Sequence, residues 1–237
     1  FFCKRMPKTF YITTPIYFPT GKPHLGTVYT DIVADVLVRW HKLKGEEVFF
    51  TTGTDEHAQK VEKAAKELEI TPKEYVDRMV VPFIATFQKY NISYSKFVRT
   101  TDEAHKKYCE ELIKKLYKKG DIYKGKYQGW YCISCETYYT EKDLNKGNCP
   151  LHGIKATWME EEAYFFRMSK YQKKVEAYIK KQKYIYPKQQ QEFILNRMNN
   201  GLRDLCISRK NTSWGIEIPF DKVFKTWVWF DALPNYL

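Results

Sequence analysis

The sequence predicts an α/β fold, a doubly wound parallel sheet covered by helices and interrupted by a small insertion that a metal staples together. Three observations predict it. Over the first 120 residues, β-branched and aromatic runs alternate with amphipathic segments of helical length, the order in which a parallel sheet is built. The texture then changes, and residues 121–167 are rich in Tyr, Gly and Cys with short strand-like runs. Inside that region two pairs of metal-binding side chains stand at ligand spacing.

The elements follow in order. TFYITTPI (9–16) suits a buried strand. A proline–glycine corner, PHLGT (23–27), leads into a segment with Val28, Ile32, Ala34, Val36 and Val38 at helical spacing, closed by Gly45. EVFFTTGT (47–54) is a second strand, and HAQKVEKAAKELEI is an amphipathic helix. Thr71 is placed to cap a further helix with Pro72 at its first position. ISYSKFVRT reads as a third strand, and DEAHKKYCEELIKKLYKKG as a helix ended by Gly120. Residues 169–200 return to helix, and VWFDAL reads as a strand running into a turn.

Composition narrows the function classes. Forty Lys and Arg against 28 Asp and Glu give a net charge of +12 over 237 residues. A balance this basic favours a polyanionic partner, of which nucleic acid is the commonest soluble one. Aromatic residues make up 17% of the chain, which excludes a disordered polymer. No apolar run approaches the roughly 18 residues of a membrane helix. The opening FFCKRMPKTF is too short for a signal peptide and starts with Phe, so an internal piece of a longer protein is expected. Of the six cysteines, Cys3, Cys109 and Cys206 are scattered, whereas Cys132, Cys135 and Cys149 fall close together. This pattern fits a reduced, cytoplasmic compartment with one metal site better than a disulfide scaffold.

Cys132 and Cys135 are separated by two residues, as are Cys149 and His152, and thirteen residues separate the pairs. Two intervening residues let a tight turn aim both ligands at one ion. Three thiolates and an imidazole fill a tetrahedral shell, the way structural zinc is held, and leave no open position for catalysis. A zinc ribbon by itself would be a nucleic-acid module, but it would not account for the first 120 residues.

The corner PHLGT lies where open α/β sheets bind ligands, between a strand end and a helix start. The helix start offers N–H groups to a phosphate. Gly26 leaves room for a base or ribose, and His24 can donate to phosphate oxygens. The second strand ends in TGTDEHAQK, which puts Asp55, Glu56 and His57 on the same rim. Asp55 there can hold an amino group or cap the next helix. Trp227, Trp229, Phe230 and Tyr236 surround Asp231 in TWVWFDALPNYL, as core or as an apolar pocket suited to a thioether.

With these segments in their order, the chain resembles the methionyl-tRNA synthetase family of class I aminoacyl-tRNA synthetases. FYITTPIYF, PHLG, TGTDEH, NISYSKFVRTT, the knuckle segment, YFFRMSKY, ISRKNTSWGIEIP and VWFDAL carry the resemblance, which covers nearly the whole chain. PHLG is similar to the family's HIGH signature. The resemblance implies a Rossmann-like catalytic domain interrupted by a connective insertion with a zinc knuckle. Its first half would span 1–120, the insertion 121–225 with the knuckle at about 127–160, and the second half would begin at 226–237.

The resemblance also implies ATP-dependent activation of L-methionine and transfer to tRNA(Met), with Mg2+ accompanying ATP. His24, Gly26 and Thr27 would bind ATP, with His24 and Thr27 in catalytic roles. Ile16, Phe18, Asp55, Trp229, Ala232 and Tyr236 would bind methionine, Asp55 through its ammonium. Three positions depart from the family pattern: Thr27 replaces a second histidine, Phe18 a tyrosine and Ala58 a glycine. FRMSKY mimics the family's mobile KMSKS loop but precedes VWFDAL, whereas the loop follows it, so this stretch is read as structural. Neither that loop nor a helical anticodon-binding domain is found, so poor activity is expected of the 237-residue chain alone.

Overall fold

The protein is described from a computed structural model, over residues 8–135, 137–181, 185–210 and 212–237. Cys3 lies outside the described residues. Strand β1 (Thr9–Tyr17) leads to helix α1 (Leu25–Leu43), strand β2 (Glu47–Thr54), helices α2 (Gln59–Glu67) and α3 (Pro72–Lys89), and strand β3 (Lys96–Arg99). The three strands form one parallel sheet in the order β1-β2-β3, as the alternating pattern predicts. Thr71 caps α3 by accepting from the Glu74 N–H, and Pro72 occupies the first turn where no donor is needed.

The β1–β2 register is not uniform. Thr13 stands opposite Thr51 but Ile16 opposite Gly53, so β1 holds one residue more than its partner between these points. Pro15, which has no N–H for a ladder, falls inside this bulge.

Helix α4 (Glu103–Lys118) follows β3. Beyond it, β4 (Ile122–Cys132), β5 (Thr137–Tyr139), β6 (Thr157–Phe166) and β7 (Leu205–Cys206) build an antiparallel sheet ordered β5-β4-β6-β7. Helices α5 (Gln172–Lys181) and α6 (Lys188–Met198) lie between β6 and β7. A third sheet, β8-β10-β9, joins β8 (Ser208–Arg209), β9 (Glu217–Ile218) and β10 (Asp221–Thr226). Helix α7 (Val228–Ala232) comes last.

VWFDAL is therefore helical, not a strand running into a turn. A short run of aromatic and β-branched residues fits either element, so periodicity cannot separate them. Here β10 ends at Thr226 and the chain turns at Trp227 into α7.

Three apolar clusters hold these layers. One packs α1 and α3 on the parallel sheet through Val38, Phe50, Phe83 and Phe87, with Ile12 and Tyr17 against it. A second joins Ala58 and Val61 at α2 and Val76 of α3 to Phe165, Cys206 and Val228. A third packs Ile113 of α4 on Ile122, Tyr164, Phe224 and Phe230. The last two weld the antiparallel sheet and α7 to helices α2, α3 and α4.

Gly53 is required by close approach. A Cβ there would lie 1.9 Å from the Val98 carbonyl oxygen of the neighbouring strand, a backbone atom that cannot swing aside. Gly53→Ala is expected to destabilise the fold by about 3 kcal/mol or more. Urea titration followed by circular dichroism measures this.

Candidate functional site

The C-terminal end of β1, the corner after it and the first turn of α1 surround a cavity of about 410 Å³. Ile16, Phe18, Lys22, His24, Thr27 and Lys60 are among its lining residues. Four of the residues predicted to bind methionine or ATP therefore share one space. Lys60 is an addition that sequence reasoning missed. Its ammonium sits 4.5 Å above the Phe18 ring, a cation–π contact that leaves the charge at the cavity wall.

His24 is the N-cap of α1. Its Nδ1 accepts from the N–H groups of Gly26 at 3.0 Å and Thr27 at 3.4 Å. An accepting Nδ1 places the proton of a neutral ring on Nε2, which is then a donor. The helix-start N–H groups expected to meet a phosphate are thus already occupied by this imidazole, and the ring replaces them as donor. Gly26 also has a nearer reason to be bare than an approaching base. A Cβ there would lie 2.9 Å from the His24 ring. Thr27 is 2% exposed and is packed into the wall.

Asp55 follows the last residue of β2 and is buried. Its N–H donates to the Tyr17 carbonyl at 2.8 Å, which ties it beside Phe18. Capping is not its role, because the N-cap of α2 is Ala58. Glu56 is fully buried and saturated with partners. Arg99 grips it with two bonds of 2.7 and 3.0 Å, Thr54 donates at 2.6 Å and Thr101 donates as well. Its own N–H donates to Thr100 Oγ1 at 2.9 Å, and its carbonyl accepts from the Trp214 indole at 2.6 Å. Nothing in the spacing of these residues announces the network, since its members lie up to 158 positions apart.

Helix α7 carries Trp229 and Ala232, and Tyr236 lies in the turn after it. Trp229 meets Phe18 edge-on with ring centroids 6.0 Å apart, which joins this segment to the cavity. Ala232 is buried, Tyr236 half-buried and Trp229 partly exposed. Arg209 is another residue the sequence reading passed over. Its guanidinium is buried among Tyr131, Tyr138 and Trp227 at 4.7–5.1 Å from their rings, with Glu161 at 3.4 Å.

Cys132, Cys135, Cys149 and His152 converge, with their ligand atoms within 4.8 Å of one another. The Cys135 and Cys149 sulfurs are 3.7 Å apart, and His152 Nδ1 is 3.7 Å from Cys149 Sγ. Burial pushes the Cys132 thiol up to about 11. At Cys149 burial also acts upward, but hydrogen bonds from Tyr139 and His152 outweigh it and bring the thiol down to about 6. Three sulfurs and one ring nitrogen crowded together in this way suit a tetrahedral, sulfur-loving metal ion.

The MSK stretch is pinned. Ser169 donates to Asp204 through its hydroxyl at 2.5 Å and its N–H at 3.1 Å. Lys170 reaches the buried Asp121 at 2.6 Å and Tyr171 joins it at 2.5 Å. These bonds hold the Asp121 carboxyl well below the usual carboxylate range. Among the described residues no helix is long and apolar enough to cross a membrane.

The family model described as tRNA synthetases class I (M) matches residues 10–157 and 141–237. The methionine–tRNA ligase of Clostridium tetani is 48% identical over 232 residues, covering 97% of this chain and 36% of that protein. The corresponding ligase of Caldanaerobacter subterraneus is 45% identical over 233 residues, 98% of this chain and 36% of its own. Among solved structures, the methionyl-tRNA synthetase of Mycobacterium tuberculosis in complex with methionyl-adenylate superposes with a TM-score of 0.92. It is 35% identical and matched over 97% of this chain and 46% of its own. The chain thus spans little more than a third of these curated relatives.

Lys170→Ala is expected to lower the melting temperature by a few degrees while leaving ATP affinity unchanged. Differential scanning calorimetry and equilibrium dialysis with labelled ATP separate the two effects.

Proposed function

The chain belongs to the class I (M) tRNA synthetase family, and on that premise we propose that it supplies part of a methionine–tRNA ligase. The observation that carries the reading is the convergence of Phe18, Asp55 and α7 beside the cavity that His24 and Thr27 line. Asp55 would pair with the methionine ammonium. Ile16, Phe18, Trp229, Ala232 and Tyr236 would border the thioether side chain, which aromatic edges favour. His24, through its Nε2–H, would donate to ATP phosphate oxygens, with Gly26 and Thr27 completing that wall. Lys22 and Lys60 would add positive charge at the same cavity.

In this reading the methionine carboxylate attacks the α-phosphate and pyrophosphate leaves. The carboxylate is already ionised at neutral pH, so no general base is needed. Catalysis then rests on positioning and charge stabilisation. Mg2+ would travel with ATP as part of the substrate, and tRNA(Met) would accept the methionyl group, a partner consistent with the +12 charge. The division into a catalytic first half (1–120), a connective insertion (121–225) and the start of a second half (226–237) belongs to the same proposal, as does a cytoplasmic location. Cys132, Cys135, Cys149 and His152 would hold a structural zinc ion that fixes the knuckle and takes no part in bond making.

Two measurements test this. The intact protein should catalyse methionine-dependent ATP–pyrophosphate exchange. Asp55→Ala should raise the methionine KM by about tenfold to a hundredfold. Exchange driven equally by leucine would sink the assignment. Atomic emission should find about one zinc per chain, lost in Cys149→Ser.

A further inference from the structure

We propose that His57 and Asp231 are positioning residues that hang the side-chain pocket from the strand-end loop, so that the distance between the ammonium and thioether subsites is fixed by one buried pair. The inference rests on the amino-acid site proposed above. Helix α7 is five residues long and its N-cap Trp227 makes no side-chain capping bond. A single turn this short does not hold its own place, and its position must come from outside contacts.

Val228 and Phe230 pack the helix into two apolar clusters, and its buried side-chain hydrogen bonds meet on one residue. Asp231 is fully buried. Its Oδ2 accepts from His57 Nδ1 at 2.7 Å and stands 3.4 Å from the Thr226 hydroxyl. Its backbone carbonyl accepts from His105 Nε2 at 2.9 Å, with Cys109 Sγ at 3.7 Å. A carbonyl only accepts, so His105 must carry its proton on Nε2. Two histidines, one from the β2 end and one from α4, therefore grip the same residue by side chain and by backbone.

The other end of the grip is equally fixed. His57 packs against the Trp214 ring at 5.2 Å, and Trp214 is itself bonded to the Glu56 carbonyl. Asp55 lies two residues before His57, while Trp229 and Ala232 flank Asp231 on α7. Neither His57 nor Asp231 is among the residues that line the cavity. Asp231 Oδ1 is buried among protein atoms without a hydrogen-bond partner, so the side chain is held through Oδ2.

The test uses the intact protein and calorimetric titration with methionine and with ATP. His57→Ala should weaken methionine binding by about tenfold to a hundredfold and leave ATP binding within about twofold. His57→Gln, whose amide can still donate to Asp231, should recover most of the methionine affinity. Should His57→Ala fail to fold, Asp231→Asn removes the charge at nearly constant shape and should show the same split. Unchanged methionine affinity in these variants, or parallel losses for methionine and ATP, would overturn the pair's positioning role. An unaltered protein that binds ATP but no methionine would overturn the proposed function itself, and the pair's role with it, which is a different outcome from the first two.

Discussion

The rest of the site depends on one buried carboxylate. Glu56 sits at 0% exposure in the turn between β2 and α2, where an unpaired charge would cost several kcal/mol. It is kept there by Arg99 and by hydroxyls from Thr54 and Thr101, so the turn is locked to β3 as well as to β2. Its carbonyl anchors Trp214, which brings in a segment from far along the chain. With Glu56 fixed, its two neighbours can be aimed in different directions: Asp55 beside Phe18, and His57 toward α7.

The same turn explains why the antiparallel sheet is not a free appendage. Val61 of α2 and Val76 of α3 share a core with Phe165 and Val228, and Glu62 receives Thr212 at 3.0 Å. Tyr131, the residue before the knuckle's first ligand, donates to Gln59 at 2.9 Å. The metal-ligand cluster therefore stands on α2, the helix that also presents Lys60 to the cavity.

The fold was legible because local patterns specify it. Alternating strand and helix texture, Thr71–Pro72 and Gly120 mark elements that depend on neighbours in sequence. The Cys and His spacing was legible for the same reason, since two-residue gaps act within one turn. Reading failed where partners are remote. VWFDAL is too short for periodicity to separate helix from strand, and the Glu56 and Asp231 networks reach partners up to 174 positions away. His24 was half legible: its type and place suggested a ligand-binding role, but its capping of α1 follows from backbone geometry alone.

The bulge in β1 has one more consequence. Side chains alternate between the faces of a strand, yet Ile12 and Tyr17, an odd number of residues apart, both face the core under α1 and α3. The extra residue between Thr13 and Ile16 works as a parity switch. It turns the Tyr17 hydroxyl inward to Asp31 at 2.7 Å and leaves the Phe18 ring to face Trp229 and Lys60. Removing a single residue there would exchange the two faces, trading an apolar wall for a phenol without altering any other letter of the sequence.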